Sequence, residues 1–332
     1  MLDPSLELAD LHIHVGAAVA PHILWSIAHD QGFKLPVHTY WEFRDLVTAK
    51  AENVSSLNDY LAILHHWTEK IQSSPAAIER SVYEIIGKEF RSSGVSLIEL
   101  RFNPMKRNLG GERDLDHIIH AALRGMDRAC LEYGVRAGLV FCLAREFSLD
   151  LNEILVKKAV KYRARGVVGI DLAGPESHSI ELGQEVDGYS DLFARARSAA
   201  LGTTVHTGET THTAVPGVLA VMSQLKPARI GHGIAAAASE EAMRKLAETG
   251  IVLEICPSSN LRTHAVSGLA ELGTALRAFE TNGVRYTINT DGPYLLNTHL
   301  RREYEMLLDA GILSEAEAER SVAVARAATF IK

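Results

Sequence analysis

Eight short apolar, β-prone runs recur along the 332-residue chain, at 8–14, 97–102, 136–143, 167–173, 203–207, 229–231, 252–255 and 286–289. Segments of helical period lie between them, among them 115–133, 151–165, 240–249 and 269–282. Strict alternation of strand and helix makes the strands parallel, because each helix returns the chain to the end it left. Eight such units predict an α/β fold of the (β/α)8 TIM-barrel type, forming a single domain over 1–332. An open doubly wound sheet would want a glycine-rich phosphate turn after its first strand. There the chain reads His12-Ile-His-Val-Gly-Ala-Ala18, which lacks that spacing.

The connection from His14 to Leu97 is too long for one crossover helix. Helical patterns at 21–31, 40–50, 57–72 and 76–92 predict a helical cap over the barrel mouth, inserted after the first strand and spanning 15–92. Within it Leu57, Tyr60, Leu61, Leu64 and Trp67 share one helical face. That face either packs as core or brings Leu61, Leu64 and Trp67 to a substrate pocket. His65 and His66, adjacent on the same helix, cannot share a face and mark no site.

Barrel enzymes keep their chemistry at the C-terminal ends of their strands. His12 and His14 leave the first run in parallel, since residues i and i+2 of a strand point the same way. His206 and Asp291 follow two other runs. Three imidazoles and a carboxylate suit a zinc site with one position left for water, so these four are the expected ligands. The fourth strand, 167–173, ends without a lysine to bridge a second ion, so one zinc per chain is expected. Bound zinc lowers the pKa of its water from about 16 to about 7, giving hydroxide at neutral pH. Asp291 is placed to take that water's proton, and His232, after the sixth run, to orient the hydroxide or stabilise it electrostatically. Glu209 lies three residues beyond His206, across Gly208, where a protonated carboxyl could donate to a ring nitrogen. Such acid assistance is worth roughly 10²- to 10⁴-fold. Glu209, His232 and Asp291 are therefore the expected catalytic set. Arg101 and Arg145 are expected to pair inside the barrel with Glu99, Asp171 or Glu254.

Composition narrows the partners. A formal net charge of −7 opposes a phosphate backbone, so no nucleic-acid polymer is expected. The three cysteines are too few for a disulfide framework. They contain no Cys-x-x-Cys, which excludes the zinc deaminases that act on flipped bases. Neither a basic-then-apolar leader nor a long apolar span is evident, so the expectation is a cytoplasmic protein with no membrane partner. A homo-oligomer is compatible with this composition.

The order of motifs resembles the adenosine/AMP deaminase branch of the metal-dependent amidohydrolases over nearly the whole chain. The matching blocks are Asp10-Leu-His-Ile-His14, Ile98-Glu-Leu-Arg-Phe-Asn-Pro104, Gly169-Ile-Asp-Leu-Ala-Gly174 and Val205-His-Thr-Gly-Glu209. Arg229-Ile-Gly-His-Gly233, Glu254-Ile-Cys-Pro-Ser-Ser-Asn260, Asn289-Thr-Asp291 and Ala325-Arg-Ala-Ala-Thr-Phe330 complete them. The resemblance implies one zinc on His12, His14, His206 and Asp291, Glu209 as proton shuttle and His232 beside the attacking hydroxide. It adds Gly174, whose backbone N–H would meet another ring nitrogen.

Two positions on the substrate side depart from the family. An acidic residue usually follows the metal-binding aspartate and holds the purine's imidazole nitrogen; here it is Gly292. A second often stands two places after the His-x-His pair; here it is Gly16. Loss of a hydrogen bond to a charged group costs roughly 1.5–3 kcal/mol. The expected activity is thus hydrolytic deamination of a small amino-substituted heterocycle within purine metabolism or near it, with plain adenosine a poor substrate. Expected candidates are a modified or enlarged aminopurine, a nucleotide or another amino-heterocycle. The alternatives are a zinc hydrolase of another C–N, ester or phosphoester bond, and a ligand-binding member without catalysis.

Overall fold

The computed structural model describes residues 2–3, 5–109, 111, 113–183 and 185–332. The expected unit 1–332 also takes in residues 1, 4, 110, 112 and 184, which lie outside the described residues. The strands are β1 (Leu8–His14), β2 (Val95–Phe102), β3 (Arg136–Ala144), β4 (Val167–Ala173), β5 (Gly202–Thr207), β6 (Arg229–His232), β7 (Val252–Ile255) and β8 (Tyr286–Ile288). They form one parallel sheet in sequence order. Covered on both faces, these strands read as nearly continuous apolar runs, as in the buried stretch Leu139–Ala144 of β3. Among the described residues no helix is long and apolar enough to cross a membrane.

Asp291 closes the ring. It forms an isolated parallel bridge with Ile13. The His14 N–H donates to the Asp291 carbonyl at 2.7 Å, and the Asp291 N–H donates to the His12 carbonyl at 2.8 Å. The Leu11 N–H donates to Asn289 Oδ1 across the same seam. One short segment thus joins β8 to β1 and carries a carboxylate to the histidine pair.

Helices Pro21–Asp30, Tyr40–Leu46, Leu57–Ile63 and Pro75–Ser93 fill the connection from β1 to β2. Local caps set their starts. Thr39 and Glu42 form a reciprocal capping box, Ser56 accepts from the Asp59 N–H, and Ser74 accepts from the Ala77 N–H just before Pro75. Beyond Ile63 the chain makes a widened turn over Leu64–Thr68, where the Glu69 N–H reaches back five residues to the Leu64 carbonyl. A π-type turn holds one residue more than an α-turn and so rotates the helix beyond it. Trp67 therefore leaves the shared face and packs against the barrel core, while Leu57, Leu61 and Leu64 stay in a separate apolar cluster with Ala17, Tyr60, Leu295 and Leu296.

Deep in the barrel a buried charge network ties the strands together. Arg229 pairs with Glu99 and with Glu254 (Nε to Oε1, 2.6 Å), and its guanidinium lies 3.5 Å over the Phe330 ring. Glu99 also accepts from the Phe330 N–H at 2.6 Å and from Thr329 Oγ1 at 2.8 Å. The ring of Phe330 explains Gly202, where a β-carbon would stand only 2.0 Å away.

Candidate active site

At the C-terminal ends of the strands His12, His14 and His206 each bring a ring nitrogen within 4.8 Å of the others. His14 Nε2 and His206 Nε2 are 3.1 Å apart, and Asp291 Oδ1 lies 3.7 Å from His14 Nε2 and 4.0 Å from His12 Nε2. The other faces of two of these rings are already occupied. His12 Nδ1 contacts Glu254 Oε2 at 2.8 Å, and His206 Nδ1 contacts Asp171 Oδ1 at 3.0 Å. A carboxylate on Nδ1 keeps the proton there and turns the Nε2 lone pair inward. His12 Nε2 is buried with no hydrogen-bond partner, an arrangement that costs free energy unless a ligand meets it. Ser259 Oγ donates to Asp291 Oδ2 at 2.6 Å, leaving Oδ1 toward the histidines. Nitrogen and carboxylate donors, converging and backed in this way, fit a zinc-class divalent cation. Cys256, with His12 and His232, forms a second potential donor group. Burial, followed by the Asp291 and Asp10 charges, pushes its thiol up, so it does not present a thiolate.

Charge environments separate these groups. Burial, then the Arg101 guanidinium, keeps His12 well below the usual histidine range, and burial, then His206, does the same to His14. At His206 burial acts downward but Asp171 outweighs it, and the net direction is up. Glu254 and Asp171 are fully buried, yet arginines and histidine hold both below the carboxylate range. Arg101 bridges them, with Nη2 at 2.9 Å from Glu254 and Nη1 at 3.1 Å from Asp171.

Glu209 behaves in the opposite way. Burial first, then the Glu176 and Asp291 carboxylates, pushes it up to about 8. Its Oε1 accepts from Thr263 Oγ1 at 3.0 Å and its Oε2 lies 3.5 Å from His232 Nε2. Glu176 fixes the turn, accepting from the Glu209 N–H at 3.1 Å and the Thr210 N–H at 2.6 Å. Burial, against the opposing pull of Asp291, brings His232 down to about 4, and Asn260 Nδ2 sits 3.1 Å from its Nδ1. His232 and Asp291 both take positive φ, at 58° and 60°. For residues other than glycine this backbone is strained, and such strain collects at functional sites.

The cavity above this cluster is lined by His14, His206, Glu209, His232, Asp291 and, from the cap, Tyr60, Leu61 and Leu64. Gly16 and Gly174 also line it. Two expected substrate contacts do not. Trp67 is turned away by the widened turn. Gly292 is covered, because a β-carbon there would lie 2.1 Å from the Tyr60 hydroxyl and 2.7 Å from the Ala17 methyl. At Gly16 the same construction falls 3.2 Å from Arg107 Nη2 and 3.2 Å from the Glu69 side chain. Arg107 and Glu69 pair at 2.9 Å, and His65 Nδ1 meets Glu69 Oε2 at 2.6 Å. His65 therefore faces the cavity, contrary to the expectation that it marks no site.

Arg101 pairs as expected, whereas Arg145 takes Glu181 at 2.8 Å and the His206 carbonyl instead. Glu176, Ser259, Asn260 and Thr263 are further site residues that the sequence patterns do not single out. Ser259 and Asn260 stand inside the block Glu254–Asn260, where a search for polar partners could have found them. Glu176 and Thr263 carry no local signal.

The chain matches the family model described as Adenosine deaminase over residues 7–332. It is 29% identical over 317 residues to the adenosine deaminase of Vibrio vulnificus (strain CMCP6), with 94% of this chain and 91% of that one covered. Among solved structures it is similar to the adenine deaminase of Arthrobacter aurescens, with a TM-score of 0.85, 21% identity and 98% and 94% of the two chains covered. It is also similar to an amidohydrolase from Burkholderia ambifaria with bound zinc, with a TM-score of 0.84, 20% identity and 99% and 87% covered. At these identities the structural likeness speaks for the barrel fold.

Proposed function

Since the chain belongs to the adenosine deaminase family of hydrolytic deaminases, we propose that it releases ammonia or an alkylamine from an amino-substituted, purine-like ring, with one zinc held by His12, His14, His206 and Asp291. When bound there, the ion supplies Lewis acidity that brings a water's pKa toward about 7. The observation that carries the reading is Glu209: a buried carboxyl, raised to about 8, inside the same cavity as the histidine cluster. It is protonated at neutral pH and can donate to a ring nitrogen while water adds to the carbon bearing the amine. Asp291 accepts the proton that the water loses, and His232, held neutral, orients the attacking oxygen. The proton returns to the leaving amine, and the second proton of the water restores Glu209. Water and amino-heterocycle thus become lactam and ammonia, with Glu209 regenerated. Gly174, on the cavity wall, offers its N–H to another ring nitrogen.

Gly292 and Gly16 bear on the choice of ring. With no acid at either position, plain adenosine is a poor substrate, at kcat/KM below about 10⁵ M⁻¹s⁻¹. A modified aminopurine, a nucleotide or another amino-heterocycle is favoured.

The test is ammonia release by the zinc-loaded protein across a panel of amino-heterocycles, with Glu209→Gln as the control. The variant is expected to keep its zinc and lose roughly 10²-fold or more in rate. Unchanged turnover would remove Glu209 from the mechanism. Efficient turnover of adenosine would end the substrate reading and leave the deaminase reading standing.

A further inference from the structure

We propose that the Tyr60 phenol, delivered by the cap helix Leu57–Ile63, is the group that grips the substrate ring beside Asp291, in the space that a side chain at position 292 would fill. The inference rests on the deaminase reading above and names the chemistry of its substrate-side contact.

Three observations carry it. The Tyr60 hydroxyl occupies the place of the missing side chain, 2.1 Å from where a β-carbon on Gly292 would begin. Tyr60 is only 3% exposed, and its hydroxyl is buried without any hydrogen-bond partner. Tyr60 also lines the cavity that holds Glu209, His232 and Asp291. A buried hydroxyl left unpaired costs roughly 1–3 kcal/mol, and a ring atom arriving in the cavity would restore that bond. The side chain is not free to swing toward water instead. It packs among Ala17, Leu64, Leu295 and Leu296, on a helix whose first turn Ser56 caps.

The exchange of carboxylate for phenol changes what can be recognised. A carboxylate accepts hydrogen bonds and repels electron-rich edges, whereas a neutral phenol donates to them. The Tyr60 neighbourhood already holds the Asp291 and Glu209 carboxyls, so an acceptor on the ring is better matched to a donor than to a third acid. The geometry therefore selects amino-heterocycles that present an unprotonated nitrogen or a carbonyl oxygen at this edge.

The test uses zinc-loaded wild type, Tyr60→Phe, Gly292→Asp and the double variant, with zinc content and melting temperature measured for each. Ammonia release is followed on adenine, adenosine, guanine, cytosine and 7-deazaadenine. Tyr60→Phe is expected to lose about tenfold or more in kcat/KM on the best wild-type substrate at unchanged zinc content. Its preference for that substrate over an analogue lacking the acceptor should collapse, a change that a merely structural role would not produce. Gly292→Asp alone is expected to be nearly inactive, and Tyr60→Phe in the same chain to restore turnover by making room. Tyr60→Phe kinetics within twofold of wild type on every ring would overturn the inference while the deaminase reading stands. If no ring releases ammonia, the deaminase reading fails and calorimetric titration with adenine decides. Tenfold weaker binding by Tyr60→Phe supports the contact; equal binding, or none by either protein, refutes it.

Discussion

On the strand side of the cavity, His12 and His206 are each backed by a buried carboxylate, and Arg101 joins the two carboxylates to each other. On the cap side, Tyr60, Leu61 and Leu64 are held by apolar packing, a serine cap and one widened turn. The first wall fixes atoms to a few tenths of an ångström, because removing one partner of a buried ion pair leaves an uncompensated charge and costs about 3–5 kcal/mol. The second wall exchanges side chains with little penalty, since volume-conserving apolar swaps cost less than about 1.5 kcal/mol. A fold built in this way can hold its hydrolytic centre constant while the ring it accepts changes.

The sharpest way to break this comparison is at Asp171. Asp171→Asn keeps the size of the side chain but removes the charge behind His206, and zinc affinity is expected to fall about 10- to 100-fold. Competition with a chromophoric chelator measures it. Retained affinity would mean that the strand wall is no more demanding than the cap.

The next effect separates the walls by pH. Glu209 acts as an acid, so raising the pH through its value of about 8 removes the active form. A bound cation stabilises the carboxylate and moves this limb lower still. The kcat/KM is expected to fall about tenfold per pH unit on the alkaline side, and Glu209→Gln should lack the limb. Tyr60→Phe, a change on the cap wall, should leave it in place.

The smallest effects belong to the cap. Leu61→Ala is expected to raise KM about fivefold through lost apolar contact, with kcat little changed. Trp67→Ala should lower the melting temperature and leave KM alone, since the ring packs on the barrel and not on the cavity. A KM effect at Trp67 equal to that at Leu61 would show that the cap does not hold this arrangement in solution.

The same contrast governs how much could be read from sequence. All eight strand runs correspond to strands, within two residues at their starts and one at their ends. A parallel strand buried on both faces advertises itself as an apolar run, and a polar residue at its end stands out. His12, His14, His206, Glu209, His232 and Asp291 were visible for that reason. The cap offered only helical periodicity, which places residues on a face but not toward a particular neighbour. A single extra residue in the turn at Leu64–Thr68 was enough to carry Trp67 away from the cavity. Gly292 read as an empty position, because the group filling it comes from a helix more than 200 residues earlier in the chain. Glu176 and Thr263 were silent for a similar reason: each acts through hydrogen bonds to residues far along the chain, which no local pattern encodes.

The seam made by Asp291 has a kinetic meaning as well. Its hydrogen bonds join segments nearly the full chain apart, as the 278-residue separation of Leu11 and Asn289 shows. Contacts of such long range form late, after the entropy of a large ring has been surrendered. An open-ended sheet, with its last strand undocked, would still own the histidines but would lack their carboxylate neighbour. Competence for chemistry and completion of the polypeptide's circle therefore arrive together, and an ion that demands all four donors would act as the inspector of that last step.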